Sequence, residues 1–332
     1  MKEEDLRAGV VGLGKMGLLH ASTLSALPHV QLVAVCDKSR LIRRFAKKLL
    51  KRVKVVESVN DFSSLGLDVV YVTTPIPFHY SVVRTAYKNK VARDLFVEKS
   101  LASNYGEAVE MCKLADNAGG VNMVGYMRRY SVTFRRAKEV LDQETLGEVS
   151  SFSAYSYSSD FPFDKADAQT RALRGGIFRD LGCHAVDLAL WFFGGLKVDF
   201  EEAAHSDEGS VAFSVEGDRI EGRFEVAWNR HDYRMAETGM TINGSKGAIK
   251  VNDDILELDL KSGERQVWYR HDLADSVPFS LGGPEYFREN QHFVNAVFER
   301  NAAEPDFRTA SEVDKIIDHA ERRFLENEQK KQ

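Results

Sequence analysis

The sequence predicts an α/β chain in which an N-terminal doubly wound parallel sheet is followed by an α+β domain with a large, mostly antiparallel open sheet. Three observations carry that prediction. Strand and helix signals alternate as far as Gly125, a glycine-rich turn joins the first strand to the first helix, and short strands at hairpin spacing dominate the remainder of the chain.

In the first part, strands are expected at about 7–11, 30–36, 53–56, 68–73, 94–98 and 121–125, and helices at about 15–27, 39–51, 78–89 and 103–118. Runs such as Val69-Val70-Tyr71-Val72 are apolar throughout, as a parallel strand covered on both faces requires. Beyond Gly125, a helix (about 131–143) and an alternating strand (149–157) lead into a polar loop, and a helix runs from about Asp180 to Phe193. Strands then read at about 198–206, 210–216, 219–228, 233–242, 247–251, 254–260 and 265–270, with turn signals at Glu216-Gly217-Asp218, Asn243-Gly244-Ser245 and Ser262-Gly263. Helices at about 284–300 and 309–327 close the chain. The expected domains are 1–125 and 126–332, with the closing helices free to pack back on the first. No Pro/Gly/Ser-rich linker separates them, which predicts a shared interface and a site in the cleft between them.

The bulk properties exclude several classes. At 332 residues, 43% hydrophobic and 29% charged, the chain has the composition of an ordinary globular protein with room for two domains. A net charge of −5 predicts neither a nucleic-acid nor an anionic-membrane partner, and the basic run Lys47-Lys48-Leu49-Leu50-Lys51-Arg52 reads as a solvated helix end. No secretory signal or long apolar run is present, so a cytoplasmic protein is expected. Cys36, Cys112 and Cys183 are far apart and form no Cys-x-x-Cys pair, which argues against a disulfide framework and against a thiolate zinc site.

The turn Gly12-x-Gly14-x-x-Gly17 assigns a separate task to each glycine. Gly12 permits the tight strand-to-helix turn, Gly14 lets the backbone approach a pyrophosphate, and Gly17 lets the helix lie close to the strand. Lys15 and Met16 open that helix, whose positive end suits an anion. The second strand ends at Asp37, 20 residues after Gly17, where an acid can accept from ribose hydroxyls. Asp37 favours NAD, whereas Lys38, Ser39 and Arg40 offer a grip for the extra phosphate of NADP; alternatively Ser39 caps a merely solvated helix.

Two further clusters carry candidate chemistry. Glu98 and Lys99 stand at the carboxyl end of a predicted strand, where ligands of open parallel sheets bind, although a surface Glu-Lys pair has the same pattern. In Gly175-Gly176-Ile177-Phe178-Arg179-Asp180-Leu181-Gly182-Cys183-His184-Ala185-Val186-Asp187, the residues Asp180, His184 and Asp187 fall on one face of an ideal helix. Histidine moves protons near neutral pH, and a neighbouring carboxylate favours its charged form. A capping Asp180 beside a hydrogen-bonded core His184 stays open, and a metal site lacks a visible third ligand.

Together these motifs, which span nearly the whole chain, resemble the Gfo/Idh/MocA oxidoreductases, named for glucose–fructose oxidoreductase and inositol dehydrogenase. The resemblance implies a Rossmann domain, an α/β domain whose open sheet mediates dimers or tetramers, and NAD(P)-dependent hydride transfer at a carbon of a sugar, cyclitol or polyol. By the same resemblance Lys99 contacts substrate hydroxyl and cofactor, and Asp180 and His184 complete the catalytic group. The segment Thr74-Pro75-Ile76-Pro77-Phe78-His79 resembles a cofactor-lining loop, giving Thr74, Pro75 and His79 as expected contacts together with Thr73 and Glu98. Tyr126-Met127-Arg128-Arg129-Tyr130 resembles the segment in which Met127 and Arg128 border the substrate. Ser100 and Ile76 stand where the family usually has proline and asparagine.

The implied chemistry has His184 removing a hydroxyl proton as hydride leaves, Asp180 holding His184, and Lys99 stabilising the developing alkoxide. Arg128, Arg171, Arg174 and Arg234 either place positive charge beside the substrate, suiting an acid or nucleotide sugar, or are surface groups. Two rival readings share the fold: a glycoside hydrolase that retains NAD, and a non-catalytic dinucleotide sensor.

Overall fold

The computed structural model describes residues 5–159, 168–198, 209–233, 235–273, 276–278 and 281–331. The chain divides into two compact units, Met1–Gly125 with Val277–Glu312, and Tyr126–Ser276 with Val313–Gln332.

The first unit is a six-stranded parallel sheet. Its strands are β1 (Leu6–Val11), β2 (Val30–Cys36), β3 (Lys54–Val56), β4 (Val69–Val72), β5 (Asp94–Glu98) and β6 (Asn122–Gly125), in the order β3-β2-β1-β4-β5-β6. Helices α1 (Lys15–Ala26), α2 (Arg40–Leu49), α3 (His79–Lys88) and α4 (Tyr105–Ala118) make the crossovers. The order reverses at β1, which pairs with both β2 and β4, and such a switch opens a crevice at the carboxyl ends of the strands. β4 and β5 are buried at every residue, as the apolar runs Val69–Val72 and Leu95-Phe96-Val97 require. Lys47, Lys48 and Leu49 on α2 are exposed.

Residues 277–312 join this unit rather than the one they follow in sequence. In α8 (Pro284–Glu299), Phe293 packs its ring edge-on against Tyr71 and Phe96 of the sheet. Beyond it, Pro305 O accepts from Val124 N at 2.9 Å, Asn122 Oδ1 accepts from Phe307 N at 2.7 Å, and Arg300 pairs with the buried Asp94. The last strand of the sheet therefore takes its edge contacts from a segment far along the chain, which local periodicity cannot reveal.

The glycine turn is sterically specified. Gly12 has φ +95°, and a Cβ on Gly17 would lie 1.8 Å from Gly12 O. Nothing stands within 4 Å of the Cβ position of Gly14. Gly17→Ala should therefore force α1 off the turn, lowering the melting temperature and weakening NADH binding by at least about tenfold. Fluorescence titration checks this, and unchanged affinity would remove the close-packing role of Gly17.

The second unit is built on an eight-stranded sheet of β7 (Val149–Tyr157), β8 (Lys197–Val198), β9 (Ser210–Glu216), β10 (Glu221–Ala227), β11 (Glu237–Gly244), β12 (Gly247–Asn252), β13 (Ile255–Leu260) and β14 (Arg265–Tyr269). The order is β14-β13-β12-β11-β7-β10-β9-β8, antiparallel except where β10 runs parallel to β7. Helices α5 (Val132–Asp142), α6 (Ala168–Leu173) and α7 (Cys183–Phe193) belong here, with the part of α9 (Phe307–Lys331) from Val313 onward. Alternation in β7 buries Phe152, Ala154 and Ser156 beneath α7, while Ser153, Tyr155 and Tyr157 point the other way. Most of the strand expected at 198–206 lies outside the described residues, as does Arg234. The strand expected from 233 begins at Glu237, because Tyr233 closes a turn onto Arg230 O and packs its ring on Tyr157.

Candidate active site

The carboxyl edge of the parallel sheet gathers most of the predicted cofactor residues. α1 starts at Gly14 with no capping side chain and no acid in its first turn, leaving its positive end for an anion. Gly14 and Lys15 are exposed there, Met16 is half-buried, and Gly17 is buried. Thr73 donates its hydroxyl to Gly12 O at 2.7 Å, so it braces the turn from β4. Asp37 is held between the two loops, one oxygen accepting from Leu13 N at 2.8 Å and the other from Ser39 N at 2.7 Å. Ser39 also caps α2, as its place before that helix predicts. Lys38 sits over the Phe78 ring at 5.7 Å, and Arg40 is exposed. An open approach above Gly14, an uncapped helix end and an anchored Asp37 fit a dinucleotide: Gly12 to Gly17 would hold its diphosphate and Asp37 its adenosine ribose.

Two predicted cofactor contacts face inward instead. His79 is fully buried, with Nε2 2.7 Å from Thr74 O and Nδ1 2.9 Å from Ser100 O, so it ties the loop after β4 to the turn after β5. Glu98 is 7% exposed, and its carboxylate is divided between His20 Nε2 at 2.8 Å and Lys99 N at 3.1 Å. Pro75 is exposed on the same loop, Thr74 is half-buried, and Lys99, half-buried, follows Glu98 directly. The Lys99–Ser100 peptide is cis.

Burial pushes the His79 imidazole below the usual histidine range, and its backbone hydrogen bonds oppose this only in part. The unfolded chain then takes up a proton at higher pH than the folded one. This contribution to stability is therefore complete above about pH 6.5 and is lost as the pH falls through the folded value. His292, also lowered by burial, acts in the same direction. Thermal unfolding should show stability falling below about pH 6.5, and His79→Gln should flatten that slope. An equal slope in the variant would remove His79 from the effect.

In the second unit, the helix expected from Asp180 opens with a wide π turn over Phe178–Gly182, in which Cys183 N donates to Phe178 O. The extra residue in this turn shifts Asp180 out of its ideal one-face register with His184 and Asp187, which keep helical spacing within α7. Asp180, 5% exposed, pairs with Arg174 Nε at 2.9 Å. Its neighbour Arg179 pairs with Asp318 and Glu321 of α9 and anchors the turn. His184, 8% exposed, meets the Tyr126 ring edge-on at 6.4 Å. Asp187 takes a bidentate pair from Arg129, with Nη2 at 2.7 Å and Nε at 2.9 Å. Met127 is half-buried beside that arginine. Arg128 is buried, its guanidinium 3.0 Å and 3.1 Å from the Asp253 carboxylate.

Sequence reasoning missed His20, Asn290, Asp253 and the Arg129–Asp187 pair. Of these only His20 left a local trace, a polar residue one turn after Gly17 in an otherwise apolar helix face. Among the described residues no cluster of three metal-ligating side chains occurs, and no helix is long and apolar enough to cross a membrane.

Comparison with known proteins agrees with this geometry in both units. Residues 6–126 match the model of an oxidoreductase family with an NAD-binding Rossmann fold, and residues 134–250 match the GFO/IDH/MocA C-terminal domain. Scyllo-inositol 2-dehydrogenase (NAD(+)) of Bacillus subtilis is 26% identical over 58% of this chain and 55% of its own length, so the chain spans about half of that relative. A 1-carboxy-3-chloro-3,4-dihydroxycyclohexa-1,5-diene dehydrogenase of Comamonas testosteroni is 28% identical over 90% of this chain and 78% of its own. Levoglucosan dehydrogenase, solved in complex with NADH, shares the fold at 17% identity, with a TM-score of 0.85 over 97% of each chain. Family models thus cover both the dinucleotide turn and most of the sheet that supports the Asp180–His184 segment, and on that ground the chain belongs to the Gfo/Idh/MocA oxidoreductases.

Proposed function

We propose that the protein is an NAD-dependent dehydrogenase that transfers hydride between nicotinamide and a carbinol carbon of a neutral sugar or cyclitol, with Lys99, Asp180 and His184 as its catalytic group. The observation that carries this reading is the buried Asp180–His184 segment in a chain whose glycine turn fits a dinucleotide. The relatives named for inositols support the substrate class.

Bound nicotinamide supplies the hydride acceptor. The chain's own groups handle the proton. His184 takes it from the substrate hydroxyl oxygen and returns it in the reverse direction. Asp180, in the π turn that precedes α7, holds the imidazole and its charge. The Lys99 ammonium donates to the same oxygen and stabilises the negative charge that develops there. The low exposure of Asp180 and His184 keeps water from screening these interactions.

Two of the four candidate arginines favour a neutral substrate. Arg128 is neutralised by Asp253 and Arg174 by Asp180, so neither offers a spare charge to an acid sugar. NAD is favoured over NADP because the anchored Asp37 carboxylate would repel a 2′-phosphate. The sheet face bearing Ser153, Tyr155 and Tyr157 is offered for self-association, which light scattering on eluted protein tests.

The deciding experiment is a spectrophotometric screen with NAD and NADP against inositols, free aldoses, sugar acids and nucleotide sugars. Reduction of NAD by a neutral polyol is expected. Tight cofactor binding without net reduction across the panel would overturn the dehydrogenase reading in favour of an NAD-retaining hydrolase or a sensor.

A further inference from the structure

His20 lies wholly inside the first unit, with both ring nitrogens within hydrogen-bond distance of side-chain oxygens. Nδ1 is 3.0 Å from Asn290 Oδ1 and Nε2 is 2.8 Å from Glu98 Oε1. The Asn290 amide has one orientation, because its Nδ2 donates to Tyr286 O at 2.7 Å and a flip would set oxygen against oxygen. Asn290 therefore offers His20 an acceptor, and Nδ1 carries a proton. Glu98 is an acceptor on its other side too, where Oε2 receives Lys99 N–H. With Oε2 already accepting an N–H and Oε1 facing Nε2, the arrangement is that of a carboxylate receiving two N–H donors. The rings of Tyr71 and Phe96 flank His20 at 5.4 Å and 5.0 Å, and a Cβ on Gly125 would come within 3.4 Å of Glu98 Cδ, so the pair has little room to shift.

We propose that His20 is a buried imidazolium locked onto the Glu98 carboxylate, and that the pair is a positioning device for Lys99. One Glu98 oxygen is fixed by His20 and the other holds the Lys99 backbone amide, which sets the direction in which the Lys99 side chain leaves β5. The role assigned to Lys99 rests on the proposed dehydrogenase function; the charge state of His20 does not.

Two measurements test this. In protein labelled with 15N-histidine at about pH 7, the His20 ring, identified by its contacts to Tyr71 and Phe96, should carry a proton on both nitrogens. A bare ring nitrogen would overturn the imidazolium. In kinetics, Glu98→Gln should lower kcat by about ten- to hundredfold, the scale of a small misplacement, with NADH affinity within about twofold of wild type. In a Lys99→Ala background the same substitution should cost nothing further. Losses that multiply would show that Glu98 acts independently of Lys99 and would overturn the positioning role. His20→Gln should repeat the pattern and serves if Glu98→Gln does not fold. If the proposed reaction is not found, the histidine spectrum still tests the charge state of His20 on its own.

Discussion

His184→Ala is expected to lower turnover by about 10²–10⁴ while leaving NADH affinity nearly intact, the loss associated with one positioned acid–base group. His184 is 8% exposed, so its imidazole is shielded from bulk buffer, which cannot readily replace it. It belongs to the second unit and not to the glycine turn, so cofactor binding should not register its loss. Stopped-flow or steady-state turnover with the best substrate of the screen, beside NADH titration, separates these effects. If the variant turns over at the wild-type rate, His184 has no part in the chemistry. A parallel loss of NADH affinity would instead indicate structural damage.

Asp187→Ala is expected to destabilise the second unit by about 3–5 kcal/mol, the cost of leaving a buried charge without its partner. Asp187 is 1% exposed and Arg129 6%, and their pairing is bidentate. Removing the carboxylate takes the bidentate ion-pair partner from a buried guanidinium that lies 5.8 Å from the Trp191 ring. In a chain of this size the melting temperature should fall on the order of 10 °C. A double variant, Arg129→Met with Asp187→Leu, should recover most of the loss, because it removes both charges and their desolvation cost together. Denaturant unfolding of the three proteins checks this; equal losses in the single and double variants would show that packing, not charge, is responsible. Since α7 carries both His184 and Asp187, the single variant should also reduce turnover by loosening the helix.

The dinucleotide turn was legible because its constraints are local. Gly12, Gly14 and Gly17 are set by the path of one turn, and Asp37 by the length of one crossover, so spacing alone exposes them. The same holds for the alternation of β7 and for the continuous burial of β4 and β5. Two features defeated that logic. The π turn at Phe178–Gly182 adds a residue to a helical turn, which an ideal period cannot foresee, and so Asp180 leaves the face it was expected to share with His184 and Asp187. Glu98 and Arg128 look from sequence like free charges pointing at a ligand, yet each is spent on a partner remote in the chain, His20 or Asp253.

By itself, then, the sequence determined the architecture and the dinucleotide turn, because hydrophobic period and glycine sterics are properties of short segments. Only the tertiary structure decided which charges are neutralised, which histidines are buried, and that residues 277–312 complete the first unit. Ion pairs and buried hydrogen bonds join positions up to 270 residues apart, as His20 and Asn290 do, and a buried polar group is tolerated only where folding supplies its partner.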